Sequence, residues 1–211
     1  MLFRSVEEAR RSFSRRIDYC VEPEQNIALA RNRAVREADG DYVCFIDDDE
    51  IPTIDWLLHL LTACMRYGSD GVLGPVRPYF PPGSPVWLEK SGLCVRPSHP
   101  TGTILNHLQT RTGNVLFKRS IVRDVHAPFP PEKGRSGGED IEFFRRMMSR
   151  GHVFVWCEEA PVYEHISPER LKRMFYIKKY VRIGGLNGMR FHGLSKLGCM
   201  VRSLVAASVY G

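Results

Sequence analysis

The sequence has no apolar run of 18 residues, which argues against an ordinary membrane-spanning helix. Its first residues, MLFRSVEEARRSFSRR, lack the apolar stretch of a secretory signal, so export is not expected. Six cysteines are scattered (Cys20, Cys44, Cys64, Cys94, Cys157 and Cys199) with no CxxC spacing, and no zinc site built on closely spaced ligand pairs is offered. Cys44 in YVCFI and Cys157 in VFVWC sit in apolar runs, where buried, reduced thiols are expected. There is no internal repeat, and acid is nearly missing from the end of the chain: from Pro168 onward nine Lys and Arg face Glu169 alone.

What is present is the material of a globular domain. The 211 residues are 43% hydrophobic and 26% charged, enough to bury a core. The net charge of +6 is concentrated in the basic tail, which suits an anionic partner or a solvated helix face.

Along the chain, VEEARRSFSRR predicts a first helix and IDYCV a short strand. The next helix is capped by Asn26, presents Ile27, Ala30, Ala34 and Ala38 on one face, and stops at Gly40. YVCFI predicts a buried strand. A helix follows between Thr53, as N-cap, and Gly68. DGVLGPV reads as one strand, and the proline-broken residues 77–110 as an irregular excursion. TGNVLFKR and HVFVWC predict further strands, EDIEFFRRMMSRG a helix between them, and a basic helix starts near Pro168. Alternating strands and helices predict an α/β fold with a mostly parallel sheet, whose ligands collect at the C-terminal strand ends.

Three clusters carry chemistry. FIDDDE places Asp47, Asp48 and Asp49 at the end of a strand, where Asp47 and Asp49 can share a face. Two such carboxylates suit Mg²⁺ or Mn²⁺, and a solvated acidic turn explains them equally well. GGED brings Glu139 and Asp140 to a helix start, where the dipole favours an ionised carboxylate able to accept a proton; a plain acidic first turn reads the same way. YEHIS carries His165 just after a strand, placed for a metal, a phosphate or a structural role.

In their order and spacing, NIALARN, GDYVCFIDDDE, WLLHLL, GPV, TGN, GGEDIEFFRRMMSRG and His165 resemble family 2 glycosyltransferases of the GT-A fold, from about Ile17 to Arg182. The resemblance is to the bacterial type that builds exopolysaccharide and other glycans. It implies a Rossmann-type α/β sheet and an inverting transfer of sugar from a nucleotide-diphosphate donor, a UDP-sugar above all, to a glycan or lipid-linked acceptor. It further implies that Asp47 and Asp48 meet the donor, that Asp49, Asp47 and His165 hold Mg²⁺ or Mn²⁺, and that Arg31, Gly113 and Asn114 lie near nucleotide and sugar. Asp140 would be the catalytic base, with Glu139 beside it. The family's opening strand-helix-strand unit has no counterpart here, so an N-terminally truncated domain over residues 1–167 is expected, followed by a basic helical extension over 168–211.

That extension ends in KLGCMVRSLVAASVYG, which with the basic helix suits either an anionic membrane surface or protein packing. The implied place is the cytoplasm, at the inner face of the membrane. Two other readings stand beside the transferase: a non-catalytic remnant of the same fold, and a Mg²⁺-dependent phosphohydrolase, for which no glycine-rich phosphate loop or nucleophile is found. Nucleic acid is not expected, because the tail lacks a recognisable binding motif.

Overall fold

The computed structural model describes residues 7, 8, 10–12, 14 and 16–190. Residues 7, 8 and 10–12 are helical, within the first predicted helix. The strand expected at IDYCV does not form. Residues 16–22 lie along the following helix instead, where Arg33 Nη1 donates to the Val21 carbonyl at 2.5 Å. Without a strand beside it the segment gains no ladder, and Tyr19 and Val21 stay exposed.

That following helix, α1 (Ile27–Glu37), begins where Asn26 Oδ1 accepts from the amides of Ala28 and Leu29 at 3.0 and 3.2 Å. It ends when the Ala38 amide bonds the Ala34 carbonyl. The predicted apolar face is not the buried one: Ile27, Ala30 and Ala34 are exposed, while Ala28 and Val35 enter the core. Alanines bury too little surface to orient a helix. The turning force comes from Val35 and from Asn32, which donates to and accepts from the Phe129 backbone at 2.7 and 2.9 Å.

The main sheet runs β1 (Tyr42–Phe45), β5 (Val115–Lys118), β3 (Gly71–Leu73), β6 (Phe154–Trp156) in spatial order. Three of these strands run one way, and β5 is antiparallel to both neighbours. A smaller sheet orders β2 (Glu50–Pro52), β7 (Val162–His165) and β4 (Val76–Tyr79). DGVLGPV is therefore two strands: Gly74 and Pro75 break it, and β3 and β4 join different sheets. The 77–110 excursion also holds most of β4, a helix α3 (Val86–Ser91) and a 3-10 turn at His107–Gln109.

Strand alternation divides the core into layers. On β5, Val115 and Phe117 face one way, with Phe129 and with Phe143, Phe144 and Met147 of α4 (Glu139–Ser149). Leu116 faces the other, with Leu60, Ala63 and Cys64 of α2 (Trp56–Arg66). Rings of Phe129 and Phe143 stack at 4.5 Å, and Phe144 meets Phe154 edge-on at 5.1 Å. Truncating one of these buried phenylalanines costs about 3–5 kcal/mol.

The basic segment begins with a 3-10 turn at Pro168–Leu171 and continues as α5 (Arg173–Arg190), whose Tyr176 is buried with Leu88, Cys94 and Ile166. No helix among the described residues is long and apolar enough to cross a membrane. Cys199 and the apolar end, with the membrane-surface expectation placed on it, lie outside the described residues. The described cysteines are free thiols; Cys20 is exposed, and Cys64, Cys94 and Cys157 are buried.

Candidate active site

The acidic run is the turn that joins the two sheets. β1 ends at Phe45, the Glu50 amide donates to the Asp47 carbonyl at 3.1 Å, and β2 begins at Glu50. Asp47, Asp48 and Asp49 are exposed on this turn, while Glu50 is buried. Glu50 Oε2 accepts from the Asp47 amide at 3.1 Å, and the buried Oε1 has no hydrogen-bond partner. Burial, reinforced by Asp47, lifts the Glu50 carboxyl to about 7. Asp47 is raised as well, by burial first and then by Asp49 and Asp48, against the pull of Arg31.

Gly113 allows the lead-in to β5 to close on these acids. A Cβ there would stand 2.8 Å from Glu50 Oε1 and 2.9 Å from Asp47 Oδ2. The next residue, Asn114, has a left-handed φ of 56° and is fully buried. Its amide nitrogen donates to the carbonyls of Pro75 and Ala160 at 2.9 and 2.8 Å, and its oxygen accepts from Trp56 Nε1 at 2.7 Å. The Asn114 side chain is thus fully engaged inside the fold, and Gly113 is the member of the pair that lies against the acids.

The second acid pair arrives on α4. Gly137 and Gly138 both adopt left-handed φ (89° and 91°), a bend that side chains resist, and Glu139 and Asp140 then open the helix. Glu139 is buried and ion-paired with Arg31 Nη1, and its Oε2 has no partner. Asp140 is half-buried, and its Oδ1 accepts from the Ile141 amide at 2.8 Å. Arg31 Nη2 stands 3.9 Å from Asp47 Oδ1, so one guanidinium spans both acid groups, and it lies 5.9 Å from the Phe129 ring.

His165 closes the opposite side. Its amide donates to the Asp49 carbonyl at 2.8 Å, and its ring packs against Tyr79 with centroids 5.9 Å apart. Arg31, Asp47, Gly113 and Glu139 thus meet at the C-terminal end of β1, with Asp48 and Asp49 on the same turn. Asp140 stands next to Glu139, His165 is joined to the turn through its backbone, and the Asn114 side chain turns into the fold. The sequence reading assigned no site role to Glu50, Glu164, Arg96, Arg111 or Arg170. Glu164 is buried and receives Arg96 at 2.5 Å on Oε1 and Arg170 at 3.1 Å on Oε2. It stands in YEHIS, beside His165, so a signal was there: an acid on the inward period of a strand. Arg96 and Arg111 lie in and just beyond the proline-broken excursion, where periodicity says nothing.

Among the described residues no group of three or more His, Cys, Asp and Glu is gathered closely enough to form a metal cage. An ion content with one or two carboxylates and with phosphate oxygens has different needs. The exposed Asp47 and Asp49 meet them, and the partnerless Glu50 Oε1 beside Asp47 is a second sign that the site is short of positive charge.

Residues 4–126 match the profile of Glycosyl transferase family 2. The chain is 33% identical over 179 residues to the succinoglycan biosynthesis protein ExoM of Rhizobium meliloti, covering 82% of this chain and 56% of that protein. Its fold is similar to Staphylococcus aureus TarS residues 1–349 in complex with UDP-GlcNAc (TM-score 0.58, 15% identity, 97% of this chain and 59% of that one). It is similar too to the Pyrobaculum calidifontis mannosyltransferase PcManGT in complex with GDP-Man and Mn²⁺ (TM-score 0.56, 14% identity, 99% and 62%). The chain thus spans a little over half the length of these proteins.

Proposed function

This chain belongs to glycosyl transferase family 2, and we propose that it transfers a sugar from a nucleotide-diphosphate donor to a hydroxyl of a glycan or lipid-linked acceptor, inverting the anomeric carbon. The observation that carries this reading is Arg31, which ties Glu139, beside Asp140, to Asp47 of the β1–β2 turn. Two acid groups far apart in sequence are thereby held as one site with separate tasks.

In this reading Asp47 and Asp48 bind the donor, Asp47 and Asp49 would hold a Mg²⁺ or Mn²⁺ ion, and His165 would stand near the ion or the diphosphate. Such an ion offsets the charge that grows on a leaving diphosphate. The mannosyltransferase of similar fold is in complex with GDP-Man and Mn²⁺, and TarS with UDP-GlcNAc, which supports a nucleotide-sugar as donor. Gly113 keeps room at the acids, and Arg31 pairs with Glu139 while reaching toward Asp47. Asp140, partly exposed at the start of α4, takes the proton from the acceptor hydroxyl as it attacks. One displacement with one base inverts the reacting carbon. The relative's part in succinoglycan biosynthesis supports a glycan product, and in this reading its assembly takes place at the cytoplasmic face of the membrane.

Calorimetric titration of UDP, GDP and dTDP, with and without Mn²⁺, tests the reading. One of them should bind in a Mn²⁺-dependent manner, Asp49→Ala should abolish that binding, and Asp140→Asn should leave it intact. No binding of any nucleotide would favour the non-catalytic remnant.

A further inference from the structure

At the ends of β3 and β6 is a cavity of about 250 Å³, walled by Leu73, Val76, Leu108 and Trp156 and bordered by Arg96 and Arg111. The His99 ring meets Trp156 edge-on at 5.4 Å, so one wall is aromatic. The charge around it is unbalanced. Arg96 and Arg170 share the single carboxylate of Glu164. Arg111, half-buried, makes no ion pair among the described residues. Lys179 is half-buried within reach of the same group, and burial, Arg170 and Arg96 all weaken its hold on its proton. Burial and Arg96 likewise lower Arg111. Arg111 has only the more distant fields of Asp140, Glu164 and Glu50 to offset its charge, and a half-buried guanidinium without a direct partner carries a desolvation cost that an anion would relieve.

We propose that this cavity binds a negatively charged sugar unit of the acceptor, one bearing a carboxylate or a phosphate, with Arg111 as its counter-charge. The assignment to the acceptor rests on the transferase reading above. Leu73 and Trp156 end β3 and β6, separated from β1 and its acidic turn by β5. Asp140 lies within electrostatic reach of Arg111, which borders the cavity. The apolar and aromatic walls suit the C–H face of a pyranose, and the guanidiniums suit a planar carboxylate or a phosphate.

The test titrates the full chain with methyl β-D-glucuronide, glucose 1-phosphate and neutral methyl β-D-glucoside, and in parallel with UDP, GDP and dTDP in Mn²⁺. Wild type, Arg111→Gln and Arg111→Lys are compared, with circular dichroism confirming the fold. An anionic sugar should bind about tenfold tighter than the neutral one, the size expected of one charge-assisted hydrogen bond. Arg111→Gln should erase that margin, Arg111→Lys should keep part of it, and nucleotide binding should be unchanged in both. Preference for the phosphate or the glucuronide identifies which anion the acceptor carries. Equal or undetectable binding of all three sugars overturns the proposal, as does an undiminished margin in Arg111→Gln. Loss of nucleotide binding in Arg111→Gln also overturns it, by moving Arg111 to the donor. Failure of wild type to bind any nucleotide strikes the transferase reading instead, and leaves the anionic margin to be judged on its own.

Discussion

Glu50 and Glu164 stand directly opposite each other across the β2–β7 pair, and both are buried. Like charges so placed repel. The fold settles the conflict unevenly. Glu164 receives two arginines, whereas Glu50 receives only the Asp47 amide and leaves one oxygen without a partner.

The two substitutions to glutamine should therefore diverge. Glu164→Gln strips Arg96 and Arg170 of their shared counter-ion and should destabilise the chain by about 3 kcal/mol in urea unfolding at pH 7 with EDTA. Glu50→Gln removes a carboxylate that makes no ion pair among the described residues, and its effect should stay within about 1 kcal/mol. Equal losses would mean that Glu50 is as well paired in solution as Glu164.

Gly113→Ala separates packing from binding. The position does not require a left-handed φ, so the backbone accepts alanine, but the new methyl group meets the ends of Glu50 and Asp47. Flexible carboxylates can yield, and thermal unfolding should move down by only about 2–4 °C. Mn²⁺-dependent nucleotide binding should fall at least about tenfold, because Asp47 is displaced. Undisturbed binding would show that the donor does not use this part of the turn.

Glu142 gives a pH signature away from the site. It accepts from Arg145 at 2.5 Å, Arg146 at 3.2 Å and Lys133 at 3.4 Å, and these partners, Arg145 first, hold its carboxyl at about 2. A folded value below the ordinary 4.5 stabilises the fold above 4.5, and that stability is lost as pH falls toward 2. Glu142→Gln should lower the melting temperature by about 2 °C at pH 7, and the gap to wild type should close between pH 4.5 and 2. A gap independent of pH would assign Glu142 a packing role.

What the sequence made legible was local. Asn26 could be named as a cap because its acceptor and the amides it serves are neighbours in the chain. β1 and β5 could be named because β-forming residues run together. β2 and β7 could not, since each is short, β2 forming only against β7 and β7 only between β2 and β4. The Gly74–Pro75 break was visible as a breaker dipeptide, yet nothing nearby says that the chain changes sheets there. The site divides the same way. Asp47, Asp49 and Asp140 stand in recognisable runs, whereas Arg96, Arg111 and Glu164 gain their meaning from partners distant in sequence.

Asn114 reaches Pro75, where the chain leaves β3 for β4, and Ala160, where it leaves β6 for β7. One carboxamide therefore fastens two of the crossings between the two sheets, and Trp56 braces it from α2. The sheets cannot hinge against each other without breaking those bonds together. The acid turn and His165, which belong to the seam, keep their spacing through every small fluctuation, so motion needed for substrate entry falls to the surface loops rather than to a swing of the framework.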